Sequence, residues 1–300
     1  MKLGFIGLGV MGRPMALNLM RHGHEMGIYA RRDPSAAPLV EAGARRYGSP
    51  AELAAHADVI FTMVTTSADV EAVTLGADGI ASGARRGAVI VDMETISPAV
   101  ARTIAARLAE QGLEMLDAPV SGGPVGARDA TLSIMVGGRL DVFERVEPLL
   151  SCLGKTIVRM GDHGAGQTTK ACNQLALLVA AQGVAEALAL AARSGIDPVR
   201  VREVLMSGVA SSRVLELFGK RMVERDFAAG IEARLYHKDL DIVLALAHGL
   251  GQALPAGAVV MQHINALMGR GEGGRDLSAL ITVLEAMSHR EPEPDLKGTT

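Results

Sequence analysis

Lys170 is one of only six lysines in a 300-residue chain that carries twenty-four arginines. Ala171, Cys172, Leu175, Ala176, Leu177 and Leu178 follow it, so it stands at the polar start of an otherwise apolar helix. The backbone dipole disfavours a cation near a helix N-terminus, and a function would account for that cost. Asn173 lies three residues on, and both side chains leave one helical face. Gly166, one turn earlier, is expected to leave room for a ligand over that face. An ammonium held there can stabilise charge growing on an oxygen and supply a proton. A lysine in a first turn can also simply be solvated.

Two glycine-rich segments could hold anions. In Ser121-Gly122-Gly123 the missing side chains let backbone N–H groups face a carboxylate, with the Ser121 hydroxyl beside them. The same three residues also make an ordinary turn after a strand. At the N-terminus, Lys2–Ile6 is a short apolar run, followed by Gly7-Leu8-Gly9-Val10-Met11-Gly12 and then by helical periodicity from Arg13. That G-x-G-x-x-G suits a dinucleotide. Gly7 permits the tight turn, Gly9 lets backbone approach the pyrophosphate, Gly12 lets helix and strand pack, and the helix N-terminus faces the anion.

The elements that must position these residues alternate up to about residue 160. Strands are predicted at Lys2–Ile6, Glu25–Tyr29, Val59–Met63, Ala88–Asp92, Glu114–Pro119 and Leu132–Val136, with another near Thr156–Arg159. Helices are predicted at Ser35–Ala42, Pro50–Ala55, Ala68–Leu75 and Pro98–Gln111. The alternation implies an α/β, Rossmann-like, doubly wound and mostly parallel sheet. A turn around Ser121–Ala130 leaves room for antiparallel members. Beyond Gly161 the pattern is helical throughout: Gln167–Arg193, Pro198–Met206, Arg213–Glu224, His237–Gly249, Pro255–Met268 and Asp276–Met287. We therefore expect a dinucleotide-binding domain over 1–162, an all-helical domain over 163–290 and a flexible tail over 291–300.

Composition narrows the function classes. Hydrophobic residues make up 49% and the net charge is −3, which is neither the basic stripe of a nucleic-acid binder nor a disordered composition. With no Trp and 3% aromatics, base-stacking platforms are not expected. Cys152 and Cys172 give no disulfide framework and no metal-ligand spacing, so a reducing cytoplasm is the expected compartment. The glycines and Arg13 break the N-terminal apolar run, against a signal peptide. The apolar stretch Lys170–Glu186 is interrupted by Asn173, Gln174 and Gln182 and falls short of a membrane span. Cys172 is expected to pack into the helix interior. His22, His24, His56 and His248 are expected in surface or core roles.

Four motifs, taken together, resemble one family: the opening glycine turn, Asp117-Ala118-Pro119-Val120-Ser121-Gly122-Gly123, Gly161-x-x-Gly164-x-Gly166-x-x-x-Lys170-x-x-Asn173, and Lys238-Asp239-Leu240. In order and spacing they are similar to the β-hydroxyacid dehydrogenases, the 3-hydroxyisobutyrate dehydrogenase family, over all but the last dozen residues. The resemblance implies reversible NAD(P)-dependent reduction of a small carboxylate semialdehyde to a β-hydroxyacid. Tartronate, methylmalonate and succinic semialdehydes and glyoxylate all remain open as substrates. It implies Lys170 as general acid and base, and Asn173 as an aid to substrate positioning. Burial and a second cation, Lys238, would both favour a lowered Lys170 pKa. Ser121, Gly122 and Gly123 would hold the substrate carboxylate. Thr95 would border both substrate and nicotinamide. Lys238, read as opening the helix His237–Gly249, would reach the cofactor, the alternative being a surface charge paired with Asp239 or Asp241, and Met63-Val64 would line the cofactor's ribose side. Relatives assemble through the helical domain, so a homodimer or homotetramer is expected. Glu94 replaces a small hydroxyl residue and Ile231 an aromatic. The alternatives are an imine reductase, or a cofactor-binding module without catalysis.

The second strand bears on the choice of cofactor. An NAD site places an acid at its end, about 20 residues past the glycines. Here the strand runs Gly27-Ile28-Tyr29 into Ala30-Arg31-Arg32, and Asp33 falls late enough to cap the next helix. Guanidinium groups suit a 2′-phosphate, so Arg31 and Arg32 favour NADP over NAD. They can also be a solvated turn in an enzyme that accepts both.

Overall fold

The computed structural model describes residues 1–288, so the expected tail lies outside the described residues. The chain forms two compact units, Met1–Asn173 and the residues from Gln174 onward.

The first unit is built on a nine-stranded sheet. Its strands are β1 (Lys2–Ile6), β2 (Glu25–Tyr29), β3 (Arg45–Arg46), β4 (Val59–Thr62), β5 (Val89–Asp92), β6 (Glu114–Asp117), β7 (Val120–Ser121), β8 (Leu132–Gly137) and β9 (Gly154–Gly161). Their order is β3-β2-β1-β4-β5-β6-β8-β7, with β9 beside β8. From β3 across to β6 every pairing is parallel. β8 runs antiparallel to β6 and β7 and parallel to β9. The central strands Val-Ile-Phe-Thr and Val-Ile-Val-Asp are buried along their whole length, as expected of a parallel sheet covered on both faces. Their alternation divides the core. Leu3, Phe5, Val59, Phe61, Val89 and Val91 face one side; Ile6, Ile60 and Ile90 face the other. Each such side chain stabilises the fold by about 1.5–3 kcal/mol on burial.

The helices of this unit are α1 (Gly12–Arg21), α2 (Asp33–Glu41), α3 (Pro50–Ala54), α4 (Ser67–Leu75), α5 (Ile80–Gly83), α6 (Pro98–Ala109), α7 (Gly123–Arg128) and α8 (Leu140–Leu150). Three local expectations need correction. The segment expected as a turn at Ser121–Ala130 holds β7 and the short helix α7, because Ser121 pairs with Ser133. Arg32, not Asp33, is the N-cap residue of α2. β3 was not expected; it is two charged residues long, with no apolar run to mark it.

The long helix α9 (Ala165–Arg193, 29 residues) leads from the first unit into the second. Among the described residues it is the one helix long and apolar enough to cross a membrane, exceeding the stretch Lys170–Glu186 that by itself falls short of a span. Its first turn is instead held on the sheet, as described below. The second unit continues with α10 (Pro198–Ser207), a π-helical turn (Leu215–Gly219), α11 (Lys220–Glu224), α12 (Ala233–Leu250), α13 (Pro255–Gly269), a 3-10 turn (Leu277–Ala279) and α14 (Leu280–Met287). Its described residues form no strand, only an isolated bridge between Glu232 and Asp276. Ala185, Leu188, Met222, Phe227, Leu267 and Ile281 belong to its core. The single helix expected at Arg213–Glu224 is thus a π turn running into α11.

Candidate active site

The glycine turn between β1 and α1 has the geometry that a dinucleotide needs. Gly7 has φ +95°, and a Cβ there would lie 2.1 Å from the Met63 carbonyl oxygen. A Cβ on Gly12 would lie 1.9 Å from the Gly7 carbonyl oxygen. At Gly9 a Cβ would meet nothing within 4 Å, so that side of the turn is open to a ligand. The residues therefore fit a dinucleotide pyrophosphate. Gly7 sits directly against Met63 and Val64, which follow the end of β4.

The C-terminal ends of β4, β5 and β6 carry Thr62, Asp92 and Asp117 side by side in register. All three are fully buried. The Thr62 hydroxyl donates to Asp92 Oδ1 at 2.8 Å. Burial pushes the Asp92 carboxyl up to about 8, and the charges of Glu94 and Asp117 add to the rise. Burial likewise raises Asp117, against the pull of two backbone N–H groups.

Those N–H groups belong to α9 and its approach. Gly164 N donates to Asp117 Oδ1 at 2.7 Å, and Gln167 N to Asp117 Oδ2 at 3.0 Å. One carboxylate thus satisfies two of the donors that a helix start leaves open. Gly166 lies between them. A Cβ there would stand 2.4 Å from the carbonyl oxygens of Asp117 and Met135. The expectation that Gly166 leaves space for a ligand is therefore wrong: its missing side chain lets α9 lie on the sheet.

Gln167, which no sequence motif singles out, is 1% exposed. Its Nε2 donates to the Glu94 carbonyl at 2.7 Å, and its Oε1 accepts from Ile96 N at 3.0 Å. Thr95 is the residue between those contacts, on the loop after β5. Glu94, unexplained in sequence, contributes its backbone carbonyl here and keeps its side chain buried. One helical turn past Gln167 stands Lys170. It is 6% exposed, so the alternative of a solvated first-turn lysine fails. It lies in the second turn, because α9 starts at Ala165 rather than Gln167. Asn173 is half-buried on the same face, whereas Cys172 is exposed, contrary to its expected packing role.

Ser121 is half-buried at the end of β7. Gly122 and Gly123 follow with φ +135° and +63°, the left-handed region that glycine tolerates best. Leu132 closes one side of Gly122, 3.1 Å from where its Cβ would be. Arg31 and Arg32 are exposed just past β2. Lys238 belongs to the second unit and lies in the second turn of α12, not at its start. Its Nζ is 3.3 Å from Asp239 Oδ1.

The first unit thus carries an open glycine turn after β1, two positive-φ glycines after Ser121 and the buried Lys170 near the start of α9. A clamped hydroxyl-bearing loop accompanies them. Residues 2–161 match the NAD-binding domain of 6-phosphogluconate dehydrogenase. Residues 164–284 match the NAD-binding domain of NADP-dependent 3-hydroxyisobutyrate dehydrogenase. The chain is 44% identical to the 2-hydroxy-3-oxopropionate reductase of Escherichia coli, over 97% of this chain and 99% of that one. A crystal structure of 3-hydroxyisobutyrate dehydrogenase from Salmonella typhimurium superposes with a TM-score of 0.86 at 32% identity, covering 94% of this chain and 99% of that one. The Mycobacterium tuberculosis 3-hydroxyisobutyrate dehydrogenase, solved with L-serine, also gives 0.86 at 30% identity, covering 94% and 98%. The chain belongs to the 3-hydroxyisobutyrate dehydrogenase family and is an NAD(P)-dependent β-hydroxyacid dehydrogenase.

Proposed function

We propose that the enzyme reduces tartronate semialdehyde, or a semialdehyde of similar size bearing one carboxylate, with NADPH as the favoured cofactor. The observation that carries the reading is Lys170. It is a buried lysine one turn past the residue that clamps Thr95. When bound, the reduced nicotinamide supplies hydride to the aldehyde carbon. Lys170 then donates a proton to the carbonyl oxygen as negative charge builds on it, and solvent restores that proton. In the oxidative direction neutral Lys170 removes the hydroxyl proton. Asn173 orients the substrate, Ser121, Gly122 and Gly123 take its carboxylate, and Thr95 borders the reacting carbon. Gly7–Gly12, Met63 and Val64 hold the dinucleotide. On the family resemblance Lys238 also serves it. Arg31 and Arg32 take a 2′-phosphate.

The choice of tartronate semialdehyde follows the Escherichia coli relative. L-Serine in the Mycobacterium tuberculosis relative is a three-carbon hydroxy acid of that size. Lys170 and the intact Ser121-Gly122-Gly123 speak against an imine reductase or a silent binding module. A substrate panel tests the reading, with tartronate, methylmalonate and succinic semialdehydes, glyoxylate and a cyclic imine each offered with NADPH. Tartronate semialdehyde is expected to give the highest kcat/KM. A higher value for another carboxylate aldehyde would move the assignment, and turnover of the imine alone would overturn it.

The same reading assigns the dinucleotide to residues 1–162 and self-association, as a homodimer or homotetramer, to residues 163–290. Leu190, Val204, Leu250 and Val259 are exposed apolar residues of the second unit, and a contiguous patch among them would suit an interface. Light scattering giving a monomer at micromolar concentration would contradict it. Two free cysteines fit a reducing cytoplasm.

A further inference from the structure

We propose that Arg46, on the edge strand β3, is a second cation for the 2′-phosphate of NADP and so helps set cofactor preference. The inference rests on the NADP reading above and adds to it a residue remote in sequence from Arg31 and Arg32. β3 exists only as Arg45–Arg46, paired with β2 so that Arg45 lies opposite Gly27 and Arg46 opposite Ile28. The next residue, Tyr47, extends the contact by donating its N–H to the Ile28 carbonyl at 3.0 Å.

Successive side chains on a strand point to opposite faces, and the two arginines separate accordingly. The Arg45 guanidinium lies over the Tyr47 ring, 5.1 Å from its centre. Arg46 turns the other way, and its Nη2 donates to the Ala30 carbonyl at 3.4 Å. Ala30 is the residue just past β2, where an NAD site carries the acid that holds the ribose hydroxyls. The fold thus brings a guanidinium to the main chain of the position that would carry that acid, and Arg31 and Arg32 follow at once. Tyr29, Ala30, Arg46, Tyr47 and Gly48 line an open groove of about 310 Å3 there. A ribose with free hydroxyls gains little from added positive charge, whereas a phosphate dianion gains a charge-assisted hydrogen bond.

Calorimetric titration with adenosine 2′,5′-bisphosphate and adenosine 5′-monophosphate tests this without turnover. Arg46→Ala should weaken the bisphosphate about tenfold, the scale of one exposed hydrogen bond to a charged group, and leave the monophosphate unchanged. Arg46→Lys should keep part of the preference, since the charge stays but the planar fork is lost. Rising salt should narrow the gap between wild type and Arg46→Ala, because both partners are exposed. An unchanged bisphosphate affinity in Arg46→Ala, with a loss in Arg31→Ala, would mark Arg46 as an ordinary edge-strand charge and overturn the proposal alone. Equal loss of both nucleotides in Arg46→Ala would reveal a general structural effect and also overturn it. A wild type that binds both nucleotides equally well would overturn the NADP reading itself, and this proposal with it.

Discussion

Gln167 grips the backbone on both sides of Thr95. Its amide donates to Glu94 O at 2.7 Å and accepts from Ile96 N at 3.0 Å. The loop after β5 and the helix that carries Lys170 are thereby joined through one buried carboxamide. Asp117 secures the same helix from below through Gly164 and Gln167.

Removing that carboxamide should therefore disturb geometry more than cofactor binding. Gln167→Ala leaves one buried acceptor and one buried donor unpaired, at about 1–3 kcal/mol each. We expect a lower melting temperature and a reduced kcat with little change in NADPH affinity. Gln167→Glu can still accept from Ile96 N but cannot donate to Glu94 O, so it should rescue only in part. Steady-state kinetics beside thermal melts would check this, and an unaltered kcat in both variants would leave Gln167 a purely structural residue.

Asp92 gives the protein a pH-dependent stability term. Its carboxyl ordinarily titrates at 3.8 and is raised to about 8 by burial. Between those values the folded state keeps a proton that the unfolded chain has released. The stabilisation is therefore greatest in acid and falls as pH rises toward 8, with a slope of about 1.4 kcal/mol per pH unit for one fully shifted group. Asp92→Asn removes the titration and can still accept from Thr62. Denaturant melts of this variant should depend less on pH from 5 to 8 than those of wild type, and the two curves should diverge most at the alkaline end. Parallel curves would show that Asp92 is ionised in the fold.

Ser121→Ala should raise KM for carboxylate aldehydes and leave kcat less affected. One hydrogen bond to a charged group is lost, worth about 1.5–3 kcal/mol. A neutral aldehyde should be a poor substrate and insensitive to the change. Loss of NADPH affinity alone would remove Ser121 from the carboxylate site.

Much of the fold was readable from periodicity. β1 and β2 have their predicted bounds because each is a bounded run that supplies a clean buried face. β3 was not readable: two arginines form it only because β2 already presents an edge to pair with. The site was readable where a residue type is rare in its setting, as Lys170 is on an apolar helix, or where glycines recur at fixed spacing. Gln167 had no such signal. A glutamine on a helix is commonplace, and only its place one turn before Lys170 on the same face could have drawn attention. Gly166 shows the opposite error. The sequence indicated that space was needed, but not whether ligand or sheet would fill it. For Asp117 the motif was visible, while its service to the start of α9 depends on pairing distant in sequence.

Lys170 as general acid is tested most sharply by the turnover of Lys170→Ala with the best semialdehyde and saturating NADPH. An intact fold by circular dichroism, NADPH affinity near that of wild type, and kcat lower by about 10²–10⁴, the usual contribution of a general acid, are expected. A purified, folded Lys170→Ala enzyme with wild-type kcat would contradict that role.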